Sequence, residues 1–271
     1  MSSYVITGAS RGMGWEFMRQ LSRDPSNTVI GIVRDKLPTA KRVADELEGR
    51  SNITIIEADI TKYEDIKRAA TQAAIVTGGR LDYLFANAGQ SMFWDAFEPI
   101  GILAEQPEEF ENVFSLMMNT NVLANIHLYT LFMPQILKGG AKTVVNLTSA
   151  MGDVEFTKDQ DLTLGSLYAT SKAAMNMVTT KFAAQYKKDN VLFLGICPGV
   201  VNTGQFDNVT PAQMAKFKPM LDTWQQYAPD FKGPVGPESA VGDVLSVVQK
   251  CSVENGDSGA ILSHLGTKQW L

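Results

Sequence analysis

The sequence predicts a doubly wound α/β fold, with one parallel sheet of about seven strands and helices on both faces. Three observations carry that reading. Short runs rich in Val and Ile alternate with longer amphipathic stretches along the 271 residues. Those runs are apolar almost throughout, as strands covered on both faces must be. The first of them leads straight into a glycine-rich turn, "ITGASRGMG", that opens a helix.

Taken in order, the expected strands are "YVITG", "TVIGIV", "NITIIEAD", "LDYLFANAG", "KTVVNLTS", "NVLFLGICPG" and "GAILSHLG". Helices fill the intervals. "TKYEDIKRAA" starts with Thr61 and Glu64 at capping-box spacing. "PEEFENVFSLMMNTNVLANIHLYTLFMPQIL" has acids in its first turn and a broad apolar face. "PESAVGDVLSVVQK" sets Ala240, Val241, Val244, Leu245 and Val248 on one stripe. With no internal repeat, low-complexity tract or Pro/Ser-rich linker, residues 1–271 read as a single domain.

Composition narrows the function classes. Hydrophobic residues make up 45% and charged residues 20%, with a net charge of −5, the proportions of a globular protein. Mild acidity without a basic stripe argues against nucleic acid as a partner. The longest apolar runs are too short for a membrane span, and the N-terminus does not read as a leader. Two cysteines, Cys197 and Cys251, make no disulfide framework, so a cytoplasmic setting is expected. Two histidines, His127 and His264, are too few for a histidine-rich metal site, and no metal is expected.

The glycine turn has the chemistry of a phosphate site. Gly8 permits a tight turn, and Gly12 and Gly14 let backbone N–H groups approach a pyrophosphate at a helix N-terminus. Strand before, helix after, at the start of an alternating chain, the turn points to a Rossmann-type dinucleotide site. The end of the second strand bears on which dinucleotide. In "VIGIVRDK", Arg34 follows the strand, and Arg11 lies in the glycine turn; two guanidiniums suit a 2′-phosphate. Asp35 competes, because one residue of register shift gives it the ribose hydroxyls. NADPH is favoured over NADH.

A further stretch, "GSLYATSKAAM", puts Tyr168 and Lys172 one helical turn apart on one face. By itself that spacing fits an ordinary helix equally well. Together, "TGASRGMG", "ANAG", "NVLAN", "NLTSAMG", "YATSK" and "PGVVNTG", in that order, resemble a single-domain short-chain dehydrogenase/reductase over essentially the whole chain. The likeness leans to the small carbonyl reductases and, more loosely, to polyketide ketoreductases of the norsolorinic acid type, which implies a substrate of secondary metabolism.

The resemblance implies a catalytic set of Asn121, Ser149, Tyr168 and Lys172. It implies a cofactor wall that begins with Gly8, Ser10, Arg11, Gly12, Met13 and Gly14, and continues through Arg34, Asp59 and Ile60. Asn87, Ala88 and Gly89 then steady the sheet, Asp59 holds the adenine amine, and Pro198, Gly199, Val201 and Thr203 flank the nicotinamide, Thr203 at its carboxamide. A homodimer or homotetramer is implied through the helices holding Asn121 and Tyr168. Two departures stand out. Ser149 and Tyr168 are further apart than is usual, so "DVEFTKDQDLTLG" is expected as a longer loop at the substrate mouth; and Ala124 stands where glycine is common.

Ketone reduction needs a hydride on carbon and a proton on oxygen. Tyr168 is the expected acid, its pKa lowered by the Lys172 ammonium. Ser149 is expected to hydrogen-bond the carbonyl oxygen, with Thr148 and Ser166 as close rivals. Asn121 is expected to anchor a water that passes protons to Lys172. Phe93, Trp94 and Phe97 after the fourth strand, and a lid over about 205–235 with Met214, Phe217, Met220, Trp224, Tyr227 and Phe231, suggest a bulky apolar carbonyl substrate. The competing class is a family member that binds cofactor without net redox, a cyclase or cofactor-sensing regulator; an intact tetrad argues against it. An extended-type epimerase or dehydratase would need more chain after "PGVVNTG".

Overall fold

A computed structural model describes residues 1–204 and 207–271 of the chain. Seven strands form one sheet: β1 Ser3–Thr7, β2 Thr28–Val33, β3 Ile53–Glu57, β4 Tyr83–Ala86, β5 Thr143–Leu147, β6 Leu192–Cys197 and β7 Ile261–Ser263. Their order is β3-β2-β1-β4-β5-β6-β7 and every pairing is parallel. The chain starts in the middle, winds out to β3, then returns and builds the other half. The order therefore reverses beside β1 and β4, which opens a crevice at their carboxyl ends.

The helices are α1 Gly12–Leu21, α2 Lys36–Glu46, α3 Tyr63–Thr77, α4 Ile100–Leu103, α5 Pro107–Met118, α6 Ala124–Ile136, α7 Val154–Asp159, α8 Ser166–Gln185, α9 Pro211–Tyr227 and α10 Pro237–Lys250. On one face of the sheet, Leu128, Tyr129 and Phe132 of α6 pack with Ile66 of α3 and Phe193 of β6. On the other, Phe17 and Met18 of α1 meet Phe85 of β4 and Val241 and Val244 of α10. A third cluster, with Phe156, Leu164, Met220, Trp224 and Trp270, surrounds Cys197 where β6 ends.

Local sequence signals were met unevenly. The Thr61–Glu64 capping box does not form: Lys62 is the N-cap of α3, without a side-chain bond. Asp59 outcompetes it, accepting from Thr61 N at 3.0 Å and from the Thr61 hydroxyl at 2.7 Å. A capping box does form at α9, between Thr210 and Gln213. The long helix expected from "PEEF" onward forms, with a π turn, Asn119–Leu123, joining α5 directly to α6. On α10, Val247 is buried while Leu245 packs part-buried. The expected loop between Ser149 and Tyr168 contains α7, capped by Asp153, whose carboxylate accepts from Phe156 N at 2.8 Å.

Candidate active site

The glycine turn is shaped by two positive dihedrals, Gly8 at φ +68° and Gly12 at φ +55°, where a side chain would be strained. Thr7, the last residue of β1, braces it. The Thr7 hydroxyl accepts from Asn87 N at 3.1 Å and Ala88 N at 3.0 Å, and the Asn87 side chain donates to Thr7 O at 2.9 Å. The "ANAG" segment thus ties the exits of β1 and β4 together. A cleft of about 950 Å³ opens above them.

Most of the expected cofactor wall lines that cleft: Gly8, Ser10, Arg11, Gly12 and Met13 from the turn, then Arg34, Asp59 and Ile60. Asn87, Ala88 and Gly89 follow, with Pro198, Gly199, Val201 and Thr203 on the far side. Gly14 does not line it. A Cβ there would fall 2.2 Å from Gly8 O and 2.6 Å from Asn87 Nδ2, so Gly14 lets α1 start against the turn and touches no opening. Arg11 and Arg34 are exposed, and neither guanidinium has an ion-pair or hydrogen-bond partner among the described residues. Asp35 points elsewhere: it is the N-cap of α2, accepting from Leu37 N at 3.2 Å.

Ser149 follows β5, and Tyr168 and Lys172 sit on the first turns of α8. All three line the cleft. The Lys172 ammonium lies 5.6 Å from the centre of the Tyr168 ring and donates to Leu147 O at 2.7 Å. Burial pushes the Tyr168 phenol up to about 12, with the Ser149 hydroxyl bond pulling the other way, and pushes Lys172 down to about 8. The expected lowering of the tyrosine by its lysine is not what the protein's own groups produce: desolvation carries the phenol upward instead.

Asn121 does not reach the cleft wall. Its Oδ1 accepts from Gln90 N at 2.7 Å, and its Nδ2 donates to Gln90 O at 2.8 Å and to Ser171 Oγ at 2.9 Å. The side chain is a staple between the π turn, the β4 exit and α8. Its backbone carbonyl accepts from Asn125 Nδ2 at 2.8 Å. The rivals of Ser149 are committed: the Thr148 hydroxyl donates to Asn176 Oδ1 at 2.5 Å, and that of Ser166 to Thr163 O at 3.1 Å.

Beyond Tyr168 the cleft becomes apolar. Phe217, Met220 and Trp224 of α9 line it; Met214, Phe93, Trp94 and Phe97 do not. The expected lid begins at Gln205, which with Phe206 lies outside the described residues. Sequence reasoning missed Phe156, Leu164, Cys197, Asp95 and Trp270, all on the wall. Trp270 is held there by its backbone N–H, which donates to the Tyr227 hydroxyl at 3.2 Å, and Lys268, two residues earlier, pairs with Asp153 at 2.8 Å. The one sequence trace of this wall was the extra length between Ser149 and Tyr168.

A family model described as short chain dehydrogenase matches residues 3–214. The chain belongs to the short-chain dehydrogenase family. This short-chain dehydrogenase is 54% identical over 271 residues to "Short chain dehydrogenase virK" of Hypocrea virens, covering 100% of each chain. It is 46% identical over 272 residues, again covering 100% of each, to "Short-chain dehydrogenase/reductase iacC" of Pestalotiopsis fici. Among solved structures it resembles the NADPH-bound carbonyl reductase from chicken fatty liver, with a TM-score of 0.76, 23% identity and 98% of each chain covered. The carbonyl reductase Sniffer of D. melanogaster gives 0.77 and 21% over 98% of each. At those identities the likeness is one of fold. The short-chain dehydrogenase is an oxidoreductase of a family that binds NAD(P). The family match ends inside α9, before Phe217, Met220, Trp224 and Trp270. Those residues close the apolar end of its cleft.

Proposed function

We propose that this short-chain dehydrogenase is an NADPH-dependent reductase of a ketone or imine on a bulky hydrophobic small molecule. One observation carries the reading. A single cleft runs from two unpaired guanidiniums, Arg11 in the glycine turn and Arg34 after β2, past Ser149, Tyr168 and Lys172, to a wall of Phe156, Phe217, Met220, Trp224 and Trp270. Positive charge suits a 2′-phosphate at one end, and the aromatic and methionine wall suits an apolar body at the other.

A bound reduced nicotinamide supplies the hydride. Tyr168, pushed up to about 12, holds its proton at neutral pH and can donate it to the carbonyl oxygen. Ser149 donates to the same oxygen and steadies the charge that develops there. Lys172 remains largely ammonium at neutral pH, holds the ribose hydroxyls and favours the phenolate left behind. Asn121 keeps α8 and the β4 exit in register. Dimers or tetramers pair through the face that exposes Leu123 beside α6 and Met177 of α8. Two free cysteines suit a reducing, cytoplasmic setting.

The test is the Tyr168→Phe variant, assayed by NADPH oxidation with phenanthrenequinone and other aromatic ketones. Turnover should fall by about 10²- to 10⁴-fold with NADPH binding retained. Wild-type turnover in Tyr168→Phe would contradict the acid–base assignment.

A further inference from the structure

The helix that carries Tyr168 and Lys172 starts without a cap of its own. Gly165, at φ +65°, stands at the N-cap of α8 and offers no side-chain acceptor to the first-turn N–H groups. Such donors are costly when buried and unpaired. The missing acceptor comes from another part of the chain. Asp95, in the loop after β4, is 1% exposed. Its Oδ1 accepts from Leu167 N at 3.0 Å and its Oδ2 from Tyr168 N at 2.9 Å. Its backbone carbonyl accepts from Gly165 N at 3.2 Å. No cation pairs with the carboxylate among the described residues. Burial pushes its carboxyl up, while the Leu167 and Tyr168 N–H groups pull it back. A carboxylate is not buried at a helix start without reason, and here both of its oxygens are committed to that start.

The loop that bears Asp95 is anchored at its other end. Phe97 meets Phe217 of α9 edge-on at 6.3 Å, and Glu98 pairs with Lys216 of α9. Met92 and Trp94 pack with Leu167 and Tyr168. One loop therefore contacts the helix of the proton donor and the helix over the substrate.

We propose that Asp95 is a positioning residue of the reaction: its carboxylate fixes the first turn of α8 and so the place of the Tyr168 phenol against Ser149 and the carbonyl. This rests on Tyr168 being the proton donor. An ångström of misplacement in such a constellation costs about 10²-fold in rate. Leu167 and Tyr168 are the second and third residues of α8, the N–H groups that a helix cap satisfies, so the cap and the proton donor share one turn.

Three variants test it: Asp95→Ala, Asp95→Ser, whose hydroxyl is too short to span both N–H groups, and Asp95→Asn, which keeps one acceptor in place. Measured well below each variant's melting temperature with phenanthrenequinone, kcat should fall about 10- to 100-fold in the Ala and Ser variants. KM and NADPH affinity should hold, and the Asn variant should recover most of the loss. Amide hydrogen exchange at 167 and 168, without cofactor, should quicken in Ala and Ser and stay slow in Asn. Wild-type kcat in Ala or Ser, a loss confined to KM or NADPH binding, an Asn variant no better than Ala, or unchanged exchange would overturn the proposal. If Ala does not fold, Ser against Asn decides in the same way. Tyr168→Phe run alongside separates the two readings. An active Tyr168→Phe sinks the assignment of Tyr168, whereas an inactive one beside silent Asp95 variants sinks only the role of Asp95.

Discussion

A phenol pushed up to about 12 by burial is a proton donor at neutral pH and a poor base. That protonated phenol is what the proposed reduction needs from it. Lys172 sets the upper limit. Its folded-state pKa, about 8, lies below the ordinary lysine value because burial penalises the ammonium. The ammonium is present below that pH and lost above it, so the reduction rate should hold near neutrality and fall as pH rises past about 8. A kcat profile from pH 6 to 10, to order of magnitude in rate, checks this; a rate still climbing at the top of the range contradicts it. Gly14 gives a second residue-level test. Because a Cβ would meet Gly8 O at 2.2 Å, Gly14→Ala should destabilise by about 1–3 kcal/mol. Thermal unfolding reads it, and an unchanged melting temperature would contradict the packing role.

Elements that announce themselves by continuous apolar content were legible in the sequence. All seven strands fall within the expected apolar runs, including β4, whose Tyr-Leu-Phe-Ala holds neither Val nor Ile; both faces of the central strands are covered, which is why the apolar signal is unbroken. The glycine turn was legible because its conformation admits few other residues. What could not be read are partners that only tertiary folding brings near. Asp95 lies in a loop with no helix of its own to cap, Trp270 comes from beyond β7, and Asn121 spends its side chain on a loop far off in sequence. The insertion carrying α7 shows in the sequence as extra length, but its helix does not, because a turn and a half capped by Asp153 leaves little periodicity. Its contribution is measurable. Phe156 and Trp270 form one wall of the cleft with ring centres 6.4 Å apart. Phe156→Ala should raise KM for a bulky aromatic ketone about tenfold, the equivalent of some lost apolar contact, and leave NADPH affinity alone. An equal rise for small and bulky ketones would contradict that placement.

At the scale of the molecule, the two halves of the sheet are locked where they meet. Asp82, just before β4, accepts from Ser3 N at 2.8 Å, Ser3 Oγ at 2.9 Å and Gly140 N at 2.7 Å. Burial alone would raise its carboxyl, but these donors hold it below the usual range. A depressed folded-state pKa contributes stability above the ordinary aspartate value, and that contribution is lost as pH falls through the folded one. Asp82→Asn should therefore melt lower than wild type at pH 7 and converge with it in acid, to the approximate limits of such linkage; parallel curves would contradict the lock. Assembly is tested separately. Light scattering should show a dimer or tetramer that Leu123→Glu with Met177→Glu disperses, and a wild-type monomer would remove the interface.

The proposed function has the cleft take NADPH and present it to a carbonyl. It is tested most directly by fluorescence titration of the protein with NADPH and with NADH, repeated on Arg11→Ala and Arg34→Ala. Wild type should bind NADPH at least about tenfold more tightly, a difference near 1.4 kcal/mol, and each arginine variant should lose that preference while keeping its NADH affinity. Equal binding of the two by wild type, or an NADPH preference that survives both substitutions, would contradict it.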